Sequence, residues 1–206
     1  MESHEPPPPH FRSLLRLSVA IVLGDWQHLR ELRRGADPDR SWREAVLQTH
    51  LFAGFPRLVE AFGVLEEAGG LGTPDPGELA PTRTEAEDIE AGFGFFQSVY
   101  GHRAPRVRSM LEGFHPDWGR WVLGHAYGRV LTRPGISAAH RELLAVVCLA
   151  ALDQSRQLAG HARGAIRCGA RPAELDDAVD AVADLLDADV LRRTRKVLET
   201  FGVEES

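Results

Sequence analysis

Apolar residues recur at intervals of three and four along nearly the whole chain, the spacing that places side chains on one face of a helix. Phe11, Leu14, Leu15, Ile21 and Val22 predict a first helix over 10–23, stopped by Gly24. Asp25 is a good cap for a short helix through Leu29 and Leu32. The turn signal Asp37-Pro38-Asp39 precedes a third helix whose face carries Trp42, Ala45, Val46, Thr49 and Phe52. Gly54 ends it, and Pro56 sits at the start of a fourth helix bearing Leu58, Phe62 and Leu65, where its missing N–H is harmless. Residues 70–82 are dense in glycine and proline and read as a linker. Beyond them, Thr84 opens a helix with acidic first turns and with Phe93, Phe96, Val99 and Tyr100. Further helices are expected near 105–113, 116–131 and 138–152, from Asp153 to about 168, from Pro172 to about 187, and over 190–201. No segment alternates with the period of two that a half-buried strand needs. The fold class is therefore all-α, a single helical domain over 10–206 with short loops that favour antiparallel neighbours.

A faint internal repeat runs through this pattern. Arg43-Glu44 opens an apolar helix followed by a tight turn and a second helix, and Arg141-Glu142 does the same 98 positions later. Leu51 and Ala53 then match Leu149 and Ala151. The first copy spans about 10–69, ahead of the linker.

Composition adds mainly exclusions. The net charge of −6 and a pI near 5.8 carry no nucleic-acid footprint. The late cluster Arg192, Arg193, Arg195 and Lys196 suits a helix C-terminus. No stretch approaches the roughly 20 apolar residues of a membrane span. The opening residues 1–9, acidic and rich in proline, read as a flexible tail without a secretory pattern, which gives a cytoplasmic expectation. Cys148 and Cys168 have neither metal-ligand spacing nor a Cys-x-x-Cys arrangement and read as small buried hydrophobes. No metal or other cofactor is expected.

Chemistry concentrates in 137–188. The helix with Leu143, Leu144, Val146, Val147, Cys148 and Leu149 is apolar nearly all round and therefore buried on most sides. Glu142 lies near its start. At about 1.5 Å per residue, Glu142 stands roughly 16 Å before the turn at Asp153 and His161 roughly 12 Å after it, so the two can face each other. Such a pair could exchange protons with a substrate or simply fasten the hairpin.

Several pieces in order, Arg133-Pro134-Gly135-Ile136-Ser137, Arg141-Glu142-Leu143-Leu144, Ala150-Ala151-Leu152, Gln157-Leu158 with His161, and Gly169-Ala170 with Pro172 and Glu174, resemble the core of the carboxymuconolactone decarboxylase family over about 115–190. The stretch Leu51-Phe52-Ala53-Gly54-Phe55-Pro56 is similar to that family's upstream signature. The resemblance implies an alkyl hydroperoxidase D-like helical fold of two degenerate hairpin repeats, usually in a homo-oligomer. It also implies one of two chemistries. Peroxidase members carry two cysteines between the Glu and the His; here Gln154 and Gln157 stand at those positions, and an amide forms neither thiolate nor disulfide. The other chemistry is cofactor-free decarboxylation of a small carboxylated lactone. The resemblance makes His161 the proton donor and Glu142 its partner, with a cation on the substrate carboxylate. Arg129 and Arg133 are candidates for that cation, Arg129 equally readable as a surface residue. His125, four residues before Arg129, is a further substrate-side candidate or a core or interface histidine, and Gln154 and Gln157 complete the set. Gly63 stands where a repeat of His161 would fall. The competing expectations are thus a lyase or isomerase, a redox protein with a degenerate site, and an oligomeric scaffold.

Overall fold

The computed structural model describes residues 9–201, so residues 1–8 of the proline-rich opening lie outside the described residues. Among the described residues there are helices and turns but no strand, as an all-α chain requires. The helices are α1 (Pro9–Leu23), α2 (Trp26–Arg34), α3 (Arg40–Glu67), α4 (Glu85–Tyr100), α5 (Ala104–Phe114), α6 (Pro116–Trp121), α7 (Ala138–Ala151), α8 (Ser155–Arg167), α9 (Pro172–Asp180) and α10 (Ala188–Leu198). A π-helical stretch, Val122–Leu131, continues α6.

Local chemistry sets most boundaries. Asp25 accepts from the His28 N–H at 3.0 Å, Asp39 from Ser41 at 2.8 Å, and Ser137 from His140 at 3.2 Å, each satisfying an N–H that the first helical turn leaves free. Thr84 and Glu87 form a reciprocal capping box at the head of α4. The two helices expected on either side of Gly54 meet at a kink inside α3: Gly54, at φ 76° and ψ 165°, is not helical, so one helical segment ends there and the next begins.

Three boundaries differ from the sequence reading. Asp153 does not cap α8; its carboxylate is taken by Arg193 of α10 at 3.0 and 2.8 Å, and it adopts φ 55°. The helix from Pro172 stops at Asp180, and a short 3-10 turn, Ala183–Leu185, follows before Asp187 caps α10 by accepting from the Asp189 N–H at 2.8 Å. The helix expected over 116–131 widens to π winding from Val122, where it lies closest to α4. A methyl group on Gly92 would overlap the Leu123 carbonyl oxygen, and one on Gly128 would overlap the Asp88 carbonyl oxygen. Two backbones can approach that closely only without a Cβ.

α7 is the centre of the molecule. Every residue from Arg141 to Ala150 is buried, and α1, α3, α8, α9 and α10 pack around it. A second, smaller core of Phe96, Val99, Ala104, Leu123, Tyr127 and Leu131 joins α4 to the π-helical stretch. Between the two cores lies the cleft that holds the candidate site.

Candidate functional site

Glu142 enters the site from the second turn of α7, where the positive end of the helix dipole favours an anion. Its side chain is fully buried, and His161 of α8 is 15% exposed. His161 Nδ1 lies 2.9 Å from Glu142 Oε2. With the carboxylate accepting, Nδ1 carries the proton and Nε2 is left without a protein partner among the described residues. Burial works to lower the His161 pKa, but the charge and hydrogen bond of Glu142 outweigh it, and the net direction is upward.

Gly164 makes this contact possible. It sits three residues after His161, on the same face of α8. A Cβ there would stand 2.5 Å from Glu142 Oε2 and 2.7 Å from Val99 Cγ1. The second carboxylate oxygen, Oε1, is buried with no hydrogen-bond donor among the described residues.

His161 opens into a cleft of about 1680 Å³ bounded by α3, α4, α5, the π-helical stretch and α8. Tyr100 and Tyr127 line it. The Tyr127 hydroxyl donates to Tyr100 at 3.3 Å, so the Tyr100 proton remains available. Burial raises both phenol pKa values, and Glu142 adds to each rise. His125 also lines the cleft and meets His50 at 2.7 Å between their Nε2 atoms. His50 Nδ1 bonds the Leu47 carbonyl, so His50 Nε2 accepts and His125 Nε2–H donates. Burial, followed by His50 and Arg129, pushes the His125 pKa down.

The other residues singled out from sequence fall in different places. Gln157 lines the cleft, whereas Gln154 turns back to its own loop and donates to Leu152 O at 3.1 Å. Arg129 and Arg133 do not line the cleft. Arg129 is bound to the buried Asp88 of α4. Arg133 grips Glu44 with bonds of 2.7 and 2.9 Å and borders a separate cavity of about 390 Å³. Both guanidinium groups are consumed by buried carboxylates, whose desolvation demands a partner. The cations that do border the His161 cleft are Arg103, Arg106, Arg156, Arg163 and Arg167. The sequence reading passed over them, as it did Tyr100 and Tyr127, because only tertiary packing brings α8 against the start of α5 and the π-helical stretch.

Ninety-eight positions before Glu142, Glu44 is also buried, 1% exposed, and it accepts from Arg141 at 3.0 Å as well as from Arg133. Arg141 further donates to Gln48 at 3.0 Å, and Gln48 returns a bond to the Arg141 carbonyl at 2.7 Å. The two buried glutamates therefore differ: Glu44 is saturated by arginines, while Glu142 holds a histidine open to a cleft.

Burial raises the Cys148 thiol pKa, and burial with Glu142 pushes Cys168 to about 11, so neither offers a thiolate near neutrality. Among the described residues, no group of three or more His, Cys, Asp or Glu is placed to hold a metal ion, and no helix is long and apolar enough to cross a membrane.

Comparison with known proteins agrees with this picture. "Peroxisomal protein 2" of Schizosaccharomyces pombe is 30% identical over 132 residues, covering 62% of this chain and 60% of the relative. "Peroxisomal protein 2" of Saccharomyces cerevisiae is 26% identical over 153 residues, covering 62% of this chain and 54% of the relative. The chain thus matches less than two thirds of the length of either. Residues 116–200, which hold Glu142, His161 and Gly164, match the model of the carboxymuconolactone decarboxylase family. Among the described residues the architecture is all-helical, as that family's fold requires, and the segment that carries the Glu142–His161 pair is similar to the carboxymuconolactone decarboxylase family.

Proposed function

We propose that the protein is a cofactor-free lyase or isomerase that moves a proton with His161 on a carboxylated substrate. The observation that carries this reading is the Glu142–His161 contact of 2.9 Å, made through Nδ1 by a histidine that lines the cleft.

In the decarboxylating direction, the C–C bond to the substrate carboxylate breaks, CO₂ leaves, and the electron pair delocalises into a conjugated carbonyl. His161 Nε2 delivers the proton to carbon. Glu142 stabilises the imidazolium and holds its orientation through Nδ1. The free Tyr100 hydroxyl is suited to donate to the developing oxyanion, because its raised pKa keeps it protonated. The cleft arginines replace Arg129 and Arg133 as partners for the substrate's negative charge. The test is turnover of γ-carboxymuconolactone and related unsaturated lactones by wild type and His161→Ala. Loss of about 100-fold or more in the variant is expected, the usual scale for a positioned general acid. Equal turnover would remove His161 as the proton carrier.

We also propose a homo-oligomer. Phe55, Val59 and Phe62 share one face of α3 and are 69%, 69% and 42% exposed, an apolar stripe suited to a second copy. The relatives' printed name sets a peroxisomal location beside the cytoplasmic one expected from the sequence, and fluorescence microscopy of the tagged chain separates the two.

A further inference from the structure

The cleft is oddly charged for this protein. The chain carries a net −6, yet no Asp or Glu lines the cleft, while five arginines do. Arg103 and Arg106 come from the turn before α5 and its first turn, and Arg156, Arg163 and Arg167 come from α8. Arg103, Arg106 and Arg156 form no ion pair among the described residues. Arg167 donates to the Val99 carbonyl at 2.9 Å, and Arg163 lies 5.8 Å from the Phe201 ring centre. Arg163 is desolvated and repelled by Arg103 and Arg167, which lowers its pKa. Like charges held together without counter-charges destabilise the free protein and are relieved by an anion.

The rest of the cleft is apolar. Phe55, Met110, Phe114, Trp118 and Trp121 border it, and each is more than a third exposed. Its volume of about 1680 Å³ exceeds the roughly 300–1,000 Å³ typical of small-molecule pockets. A compact lactone would leave most of it empty.

We infer that this cleft binds an amphiphile whose phosphate head sits among the arginines and whose hydrocarbon or aromatic body lies along the Phe114–Trp118–Trp121 wall. Several guanidinium groups match the oxygens of a phosphate better than a lone carboxylate, since each planar fork can donate twice. The inference adds a phosphate-bearing apolar body to the carboxylated substrate of the site proposed above and rests on that reading of the cleft, but its test reads binding and not turnover.

The experiment is calorimetric titration with decyl phosphate, decyl maltoside and inorganic phosphate, kept below micelle formation, with tryptophan fluorescence as a second readout. Decyl phosphate is expected to bind saturably, to perturb tryptophan emission and to weaken as salt rises. Decyl maltoside, inorganic phosphate, and decyl phosphate with the Arg103→Ala/Arg106→Ala variant should each bind at least about tenfold more weakly, as loss of charge-assisted bonds requires. Arg156→Ala, on a different helix, gives the same answer should the double variant fail to fold. Arg192→Ala, an exposed arginine that does not line the cleft, should bind as wild type does, and a readout of binding without turnover separates failure of this inference from failure of the proton chemistry. Equal affinity for the maltoside overturns the inference, as does unchanged binding by either arginine variant. So does binding that appears only on anionic phospholipid vesicles, or binding abolished when a second copy covers the aromatic wall.

Discussion

His161 and Glu142 are tied by one hydrogen bond, and its consequences depend on pH. The folded pKa of His161 lies above its ordinary value of 6.5. Its pairing therefore stabilises the fold fully below about pH 6.5, and the contribution is lost as pH rises through the folded value. The gap in thermal stability between wild type and His161→Asn should narrow on going from about pH 6 to about pH 9. Activity that needs protonated His161 should fall over that same upper range, and Glu142→Gln should move the fall to lower pH by removing the carboxylate's charge. A pH–rate profile of the two proteins decides the point; identical profiles would separate Glu142 from the titrating group. Gly164 belongs to the same unit. Gly164→Ala should destabilise the protein by about 1–3 kcal/mol, because the added methyl meets a buried carboxylate that cannot retreat. It should also reduce turnover more than an alanine at Gly160, whose Cβ position is open space, both read by denaturant melts and rate assays.

The helices are coupled through buried charge as well as apolar packing. Glu44 of α3, Arg141 of α7 and Arg133 of the loop between form a network in which Glu44 and Arg141 are each 1% exposed. Removing the acid leaves two arginines facing each other without compensation. Glu44→Ala is expected to cost about 3–5 kcal/mol in urea unfolding, the range for a broken buried pair. Glu44→Gln should cost less, since it keeps the size and one acceptor. This network lies beside the smaller cavity, away from His161, so Glu44→Gln should leave the substrate KM unchanged. The contact of α4 with the π-helical stretch rests instead on missing side chains. That is why Gly92 and Gly128, unremarkable in the sequence, decide how the roof of the cleft is seated.

At the level of the assembled molecule, two features await solution measurements. Replacing both Cys148 and Cys168 by alanine should leave turnover unchanged, because neither thiol ionises near neutrality. A loss of activity in the folded variant would revive the redox reading. The exposed Phe55–Val59–Phe62 stripe is expected to mediate self-association. Val59→Arg should shift the protein toward monomer in sedimentation velocity, since a charge at the centre of an apolar contact is costly to bury. An unchanged distribution would place the interface elsewhere.

What was legible from residues alone follows from periodicity and short-range chemistry. The helical class, the caps at Asp25, Thr84 and Ser137, the buried α7 and the facing of Glu142 and His161 need only a 3.6-residue period and one turn. The loss of Asp153 to Arg193 was decided by a partner distant in sequence, and the π winding from Val122 lies where α4 approaches most closely. The same holds for the cations. Arg129 and Arg133 lay close to the pair in sequence, but Asp88 and Glu44, buried and in need of counter-charge, claimed them. Helical spacing determined which residues share a face; only tertiary packing decided which charge reached each buried carboxylate first, and thus which arginines were left to border the cleft.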